Sequence, residues 1–330
     1  MSEKSERVKL SRWLEKNIRQ NFPHKEDLVE IIDTIAEATI PIRGLLERGI
    51  TSREIEQRMN IAKPREDSKN IYDEKQIHED LLTHSIILKT LQEADTDFAF
   101  IASEESSPVL GNGIFGITTD PVDGSSNVAV NRTVGTIVGI FNENGEIICA
   151  FYVLYGIFTN LIIAIDGKVA EFVLDTVPYS TTFYHYVFHS NTSLPDKEEG
   201  GIRCLGGDST KWPQKCKAYE RLLIEKHTID RYSGSFVGDF HAITYYGGVY
   251  AYFPSPKGKI RVYYEWLPLA FIIKMLGGEF LIIGEGENLN QIKRIEDIQP
   301  LTKNHIEQIH TTTCGGLIGS RKLVNLFLKI

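Results

Sequence analysis

The chain has few cysteines, no long apolar run and no excess of positive charge among its 330 residues. Its four cysteines include no Cys-x-x-Cys pair, so they suit neither a zinc site nor a disulfide framework and predict reduced thiols in the cytoplasm. Apolar runs such as Leu161 to Ile165 are too short to span a bilayer, and the polar N-terminus is unlike a secretory signal. A net charge of −8 argues against a nucleic-acid-binding surface, but a locally positive cleft would still accept a small anionic substrate.

Segments of helical and strand character alternate along the chain. Apolar residues recur at helical spacing from Leu28 to Leu46, with a kink or a break expected at Pro41. Runs rich in β-branched residues predict strands, and the interleaving favours a layered α/β architecture over a bundle or a sandwich. The predicted strands are 98–102, 113–119, 134–141, 161–165, 248–253, 260–264 and 279–283, and the further predicted helices are 80–91, 213–225, 267–276 and 320–328.

The chain is long enough for two domains of moderate size. Its best candidate for a linker is the polar stretch 192–201, which contains Pro and Gly. We therefore divide the chain into an N-terminal arm (1–24), an N-terminal domain (25–191) and a C-terminal domain (192–330).

The stretch DPVDGSSN (120–127) carries the most information about function. Alone it reads equally well as a turn, since Asp, Pro and Gly punctuate chains. However, Asp120 and the pair Glu104-Glu105 each come where a predicted strand ends, and ligands of α/β folds bind beyond the carboxyl ends of strands. If those strands are neighbours, four carboxylates including Asp123 converge, and their mutual repulsion calls for divalent cations. Such hard oxygen ligands suit Mg²⁺ or Mn²⁺ rather than zinc, and two ions can clamp the attacking and leaving oxygens of a displacement at phosphorus.

Asp123 is followed directly by Gly124, Ser125 and Ser126. Glycine allows close approach of the backbone, and the amides that follow it can point at an anion. Metal ligands and phosphate donors would then lie side by side, which favours phosphoryl transfer to water over hydride or acyl chemistry.

From about residue 26 to 328, the chain resembles the class I fructose-1,6-bisphosphatase branch of the inositol-monophosphatase-like superfamily. The DPVDGSSN stretch followed by VGTI (134–137) is specific to that branch, and the SEE at 103–105 upstream matches as well. Several motifs in the right order are a stronger signal than any one of them. The downstream matches, in family order, are RYSGSF (231–236), YGG (246–248), GKIR (258–261), Glu265 with Pro268, and Gly277-Gly278.

The resemblance implies a layered α-β-α-β-α fold with two mixed-sheet subdomains, the first for metal and phosphate and the second for the sugar. It implies metal-dependent hydrolysis of the 1-phosphate of fructose 1,6-bisphosphate to fructose 6-phosphate and phosphate, a step of gluconeogenesis. It also implies two or more Mg²⁺ ions per active site, with Mn²⁺ as the alternative, and a homodimer or a homotetramer.

The resemblance also assigns roles to individual residues. Asp80 and Glu105 would help to activate the attacking water, and Asp123, Gly124, Ser125 and Ser126 would hold the phosphate being cleaved. The implied metal ligands are Glu104, Glu105, Asp120, the Val122 carbonyl, Asp123 and Glu265. The second phosphate and the sugar would be held by Arg231, which reaches across a subunit interface, and by Tyr232, Gly234, Ser235, Phe236 and Lys259.

The chain departs from the family pattern in two places. For the second phosphate, Gly206 stands where the family has an Asn, Ser209 is shorter than the usual Tyr, and Phe253 occupies a position where a Tyr is common. For AMP, the Lys-Tyr pair and the Arg of vertebrate-type members are replaced by Ile114-Phe115 and Asn142. We therefore expect altered recognition of the second phosphate and weak or no inhibition by AMP.

Two alternatives remain open. Sedoheptulose 1,7-bisphosphate is the alternative substrate, because the changes around Gly206 affect the second phosphate. A catalytically lost sugar-phosphate sensor or scaffold is the alternative of another class, which the complete set of carboxylates disfavours.

Overall fold

The computed structural model describes residues 8–48, 78–94, 96–176, 184–254, 259–284 and 292–330, apart from the side chains of residues 48, 78–80 and 308. Seven α-helices lie within these ranges, and none of them has the length and apolarity needed to cross a lipid bilayer. They are α1 (Leu10–Asn17), α2 (Lys25–Arg48), α3 (His78–Glu93), α4 (Gln214–Glu225), α5 (Phe236–Tyr246), α6 (Leu267–Met275) and α7 (Arg321–Asn325).

Eight strands form the first sheet, in the order β2-β1-β3-β4-β5-β6-β7-β8. The pair β1–β3 is parallel and the other pairs are antiparallel. The strands are β1 (Phe100–Ser103), β2 (Ser106–Leu110), β3 (Gly116–Asp123), β4 (Val134–Phe141), β5 (Ile147–Tyr155), β6 (Thr159–Ile165), β7 (Lys168–Thr176) and β8 (Tyr184–Asn191).

Six strands form the second sheet, in which β14 pairs with three neighbours. The pairs of β9 with β10 and β11 are parallel, and those of β14 with β11, β12 and β13 are antiparallel. The strands are β9 (Ile202–Gly206), β10 (Ile229–Asp230), β11 (Gly248–Tyr252), β12 (Ile260–Arg261), β13 (Glu279–Ile283) and β14 (Thr313–Gly319).

Three apolar cores lie between five layers, and the second core extends over both sides of the middle layer. Because successive side chains of a strand point to opposite faces, Phe151 of β5 packs under α1–α3 while the next residue, Tyr152, joins the core shared with α5 and α6. That second core continues into one face of the second sheet, and α4 and α7 cover its other face. The layers are therefore α-β-α-β-α, which confirms the predicted fold class.

Two local expectations need correction. Helix α2 runs through Pro41 without a break, because Pro41 is on the exposed side of the helix where a missing backbone hydrogen bond faces water. Residues 262–264 are not strand but part of a π-helical turn, Val262–Trp266. The backbone N–H of Arg261 donates to Glu265 Oε2 at 2.7 Å and ends β12 there. All five residues of the turn are buried, so no alternation in the sequence distinguishes it from a buried strand.

Candidate active site

The ends of β1 and β3 bring the predicted carboxylates together. These strands are parallel neighbours, with Ser103 paired to Thr119, and the Glu104 N–H donates to the Thr119 carbonyl at 3.1 Å. Glu104 and Asp120 therefore leave the same edge of the sheet side by side. This is the adjacency that the sequence argument required.

Three carboxylates form the centre of the site. Asp120, Asp123 and Glu265 are 4%, 5% and 8% exposed, and each offers an oxygen within 4.8 Å of the others. Residues three apart would point to opposite faces of a regular strand, but the pairing of β3 with β4 is irregular between Asp120 and Asp123. That irregularity, together with the π-helical turn that carries Glu265, allows the three side chains to converge.

The cluster is strongly electronegative. Burial, followed by the charges of Glu104, Asp123, Glu265 and Glu105, raises the pKa of Asp120 well above its usual range. Burial and then the charges of Glu104 and Asp123 do the same for the pKa of Glu265. Burial raises the pKa of Asp123 to about 6, although hydrogen bonds from residues 235–237 lower it. In the absence of a cation these groups resist ionisation.

Arg261 is the cation that the described residues place in contact with the cluster. Its guanidinium forms an ion pair with Glu104, and its backbone N–H bonds to Glu265. This single positive charge does not balance the carboxyl groups around it, which are those of Asp120, Asp123, Glu265, Glu104 and Glu105. Buried, closely spaced carboxylate oxygens of this kind fit hard divalent cations, so the donor set is suited to the metal that the sequence analysis implied.

A glycine turn follows the carboxylates. Gly124 has φ +79°, and a Cβ there would lie 2.7 Å from Ser235 Cβ, so both its conformation and the close approach of Ser235 require glycine. The chain then forms a 3₁₀ helix, Ser125–Val130, in which Ser125 is half-buried and Ser126 is exposed. The turn therefore presents Ser125 and Ser126 at the surface next to the cluster.

The loop of residues 231–235, which we call the Tyr232 loop, contacts Asp123 directly. Asp123 Oδ2 accepts hydrogen bonds from Ser235 Oγ at 2.7 Å and from the Val237 N–H at 2.8 Å. Ser235 also caps α5 by accepting from the Gly238 N–H at 3.1 Å. Phe236 is the first residue of that helix and is buried against Tyr250. These hydrogen bonds thus join Asp123, a predicted metal ligand, to the loop predicted to bind the sugar.

Tyr232 and Arg231 are both exposed at this edge of the site. Burial, then the nearby Tyr252, Asp239 and Asp123, raises the pKa of Tyr232 to about 12, so its hydroxyl stays protonated. The Arg231 guanidinium lies 5.6 Å from the ring centre of Tyr246 in the same chain.

The structure corrects the interpretation of Phe253. Phe253 is fully buried against Trp212 and Tyr219, on the side of the second sheet that faces away from the carboxylates. The preceding residue, Tyr252, points the other way, since neighbouring strand residues alternate. A Cβ at Gly206 would lie 2.6 Å from the Tyr252 ring and 2.9 Å from the Tyr232 hydroxyl. Phe253 therefore does not face the carboxylates, whereas Tyr252 lies beside Gly206, which makes room for Tyr252 and Tyr232.

The roles of Asp80, Lys259 and the Val122 carbonyl stay predictions. Asp80 is in the first turn of α3, and its side chain lies outside the described residues. Lys259 is exposed directly before β12 and follows residues 255–258, which also lie outside the described residues. Val122 is buried and donates its N–H to Asp120 Oδ1 at 3.1 Å, and the metal-binding role of its carbonyl is untested.

Sequence reasoning missed three polar residues of the site. Tyr252 was overlooked because its facing depends on the strand register, and Asn127 was noted only as part of a motif. Asp239, 2% exposed, accepts the Ser233 N–H with both carboxylate oxygens, at 3.0 and 3.1 Å. The one sequence signal for Asp239 is its place four residues after the helix-capping Ser235.

Comparisons with known proteins agree with this geometry. Residues 49–185 match the family model described as the N-terminal domain of fructose-1-6-bisphosphatase, and residues 197–324 match its C-terminal domain. The chain is 34% identical to the class 1 fructose-1,6-bisphosphatase of Methanocorpusculum labreanum over 264 residues, which is 77% of this chain and 76% of the relative. It is 31% identical to that of Pelobacter propionicus over 268 residues, 77% of each protein.

Solved structures show the same fold. The holo form of Leishmania major fructose-1,6-bisphosphatase superposes with a TM-score of 0.77 at 24% identity, covering 98% of this chain and 99% of that one. Both family models and relatives above 30% identity span most of the sequence. The chain belongs to the class 1 fructose-1,6-bisphosphatase family.

Proposed function

We propose that this chain is a phosphoric monoester hydrolase that converts fructose 1,6-bisphosphate to fructose 6-phosphate and phosphate with the aid of divalent cations. The observation that carries the proposal is the buried cluster of Asp120, Asp123 and Glu265, with two phosphate-binding candidates next to Asp123. The Gly124 turn follows Asp123 in the chain and the Tyr232 loop bonds its carboxylate through Ser235, so the two together suit a substrate with two phosphates. The family relationship supports the same reaction.

Different carboxylates would bind the cations through different oxygen atoms. Asp120 and Glu265 would hold metal through the oxygens that lie within 4.8 Å of one another and of Asp123. Asp123 would bind through Oδ1, because Oδ2 already accepts hydrogen bonds from Ser235 Oγ and from the Val237 N–H. Glu104, Glu105 and the Val122 carbonyl would complete the set, with Glu104 released from, or shared with, Arg261.

Divalent cations bound here would neutralise phosphate charge and lower the pKa of a water molecule. Oxygen ligands without histidine or cysteine favour Mg²⁺, with Mn²⁺ as the alternative. Glu105 and Asp80 would accept the proton of the attacking water, and Ser125 and Ser126 would donate hydrogen bonds to the phosphate.

The second phosphate and the sugar would bind at the Tyr232 loop. Tyr232 and Tyr252 meet over Gly206 and offer protonated hydroxyls, to which Lys259, Ser235 and the backbone of Gly234 would add. Arg231 would contribute from a neighbouring subunit, in keeping with its exposed position, and we propose a homodimer or a homotetramer located in the cytoplasm.

A substrate panel tests the proposal. Phosphate release would be measured from fructose 1,6-bisphosphate, sedoheptulose 1,7-bisphosphate and inositol 1-phosphate in the presence of Mg²⁺. We expect the highest kcat/KM for the fructose compound. A preference for sedoheptulose 1,7-bisphosphate would move the specificity to the altered pocket around Gly206. No release from any compound would favour the sensor or scaffold.

A further inference from the structure

The backbone of Ser233, at the centre of the Tyr232 loop, is held from both sides. Its N–H donates to both carboxylate oxygens of Asp239 on α5, at 3.0 and 3.1 Å. Its carbonyl accepts a hydrogen bond from Asn127 Nδ2 at 3.3 Å. Asn127 belongs to the 3₁₀ helix that begins right after the Gly124 turn. Asn127, Ser233 and Asp239 therefore form a polar bridge between the two loops, which we call the Ser233 bridge.

Asn127 has little freedom to move within the bridge. The residue is 5% exposed, and its N–H donates to the Gly124 carbonyl at 2.7 Å. Its side-chain amide also donates to the Thr133 carbonyl at 3.2 Å. A Cβ on Gly234, which has φ +90°, would lie 3.4 Å from Asn127 Oδ1, so the Tyr232 loop rests directly on this amide. Asn127 therefore fixes the position of Ser233 relative to the Gly124 turn.

Asp239 fixes the same peptide to the second sheet. Its carboxylate is almost fully buried on α5, whose neighbours include β4, β9 and β11. The Asp239 carboxylate orients this peptide, because both of its oxygens accept the Ser233 N–H, and the Cys204 thiol is a further hydrogen-bond partner. The Ser233 bridge therefore spans the layers that carry the two proposed phosphate sites.

We propose that Asn127 and Asp239 are positioning residues that set the separation between the site of the cleaved phosphate and the site of the second phosphate. This inference rests on the proposed function, because it takes the Gly124 turn and the Tyr232 loop as those two sites. A fixed separation favours substrates whose phosphates match it and gives selectivity for a bisphosphate over a monophosphate. The ligand class is a phosphorylated ketose with phosphates at both ends.

The bridge can be weakened without releasing the whole loop. Asp123 still holds Ser235 and the Val237 N–H, so the far end of the Tyr232 loop keeps its anchor. Loss of the Asn127 amide would let Arg231 and Tyr232 shift relative to the Gly124 turn, while the carboxylates of the cluster keep their positions. The expected defect therefore concerns the second phosphate.

The test compares Asn127→Ala and Asp239→Leu, which removes both acceptor oxygens at similar size, with the wild type, and Asn144→Ala on an exposed turn is the control. The kcat/KM is measured for fructose 1,6-bisphosphate and for fructose 1-phosphate, which lacks the second phosphate. We expect a loss of about tenfold on the bisphosphate, mainly through KM, and a change within about threefold on the monophosphate. An equal loss on both substrates, or no loss on either, would overturn the proposal.

A binding measurement separates this proposal from the proposed function. Calorimetric titration with fructose 6-phosphate reports on the second-phosphate site without turnover, and we expect both bridge variants to bind it about tenfold more weakly than the wild type. Unchanged affinity in both variants would count against the bridge even if the wild type is active. A wild type that releases no phosphate would count against the proposed function, and the titration would still decide on the bridge.

Discussion

Replacement of Asp123 by asparagine should abolish turnover and yet stabilise the metal-free protein at alkaline pH. Asp123 has a pKa of about 6 in the folded protein against a usual 3.8, because burial disfavours its charge. Protonated Asp123 therefore contributes stability that is fully present below pH 3.8 and is lost as the pH rises from there through about 6. Asparagine carries no charge and avoids this loss.

The size of the effect follows from the shift. About two pKa units correspond to roughly 3 kcal/mol of destabilisation of the metal-free protein at pH 8. Asparagine removes this destabilisation but loses part of the gain in stability, because the hydrogen bonds from Ser235 Oγ and the Val237 N–H to a charged acceptor become weaker by about 1 kcal/mol each. The net gain at pH 8 is about 1 kcal/mol, or a rise in Tm of ~1–2 °C for a chain of this size.

The assay is thermal unfolding in EDTA at pH 5 and pH 8, combined with phosphate release in Mg²⁺. Asp123→Asn should melt at or above the wild-type temperature at pH 8 and gain less at pH 5, where the carboxyl is ionised in the unfolded chain but still protonated in the folded protein. Its kcat should fall at least ~100-fold, since a metal ligand is lost. Glu225→Gln, which removes an exposed charge, is the control. An Asp123→Asn variant that is active, or that is destabilised equally at both pH values, would refute the reasoning.

Three further predictions follow from the same contacts. The rise in Tm caused by Mg²⁺ should be larger at pH 8 than at pH 6, because the raised pKa values of the cluster mean that metal must displace protons; a pH-independent rise would contradict this. Gly206→Ala should raise KM for the bisphosphate several-fold with little change in kcat, since its Cβ would lie 2.6 Å from the Tyr252 ring, whereas Gly44→Ala, with nothing within 4 Å of its Cβ, should leave both constants unchanged. AMP at micromolar concentration should not inhibit, because Asn142 carries no charge and its side chain is used to bond Glu146; half-inhibition in that range would contradict the prediction.

Two strands could be predicted from the sequence to the residue, whereas the predicted strand 161–165 covers only part of β6. Strands β4 (134–141) and β13 (279–283) have the predicted bounds. The meeting of Glu104 with Asp120 was also predictable, because carboxyl ends of adjacent parallel strands share an edge. Both predictions depend only on the local sequence pattern that marks where each strand ends.

Features that depend on distant contacts could not be predicted. The π-helical turn at Glu265 reads as a buried strand because all its residues are buried. Whether Tyr252 or Phe253 faces the site depends on the pairing of β11 with β9, which local sequence does not specify. The Asn127–Ser233 bond joins residues 106 positions apart. The metal roles of the carboxylates, the role of Asp80 and the domain division at 192 stay predictions.

Metal dependence of phosphate release from fructose 1,6-bisphosphate tests the central claim most directly. Wild-type protein and Asp120→Asn would be assayed with Mg²⁺, after EDTA, and after Mg²⁺ is restored. We predict rapid release by the wild type in Mg²⁺, loss in EDTA, recovery on restoration, and at most about 1% of that rate for Asp120→Asn. Release that persists in EDTA, or that survives the loss of the Asp120 charge, would contradict catalysis at this carboxylate cluster.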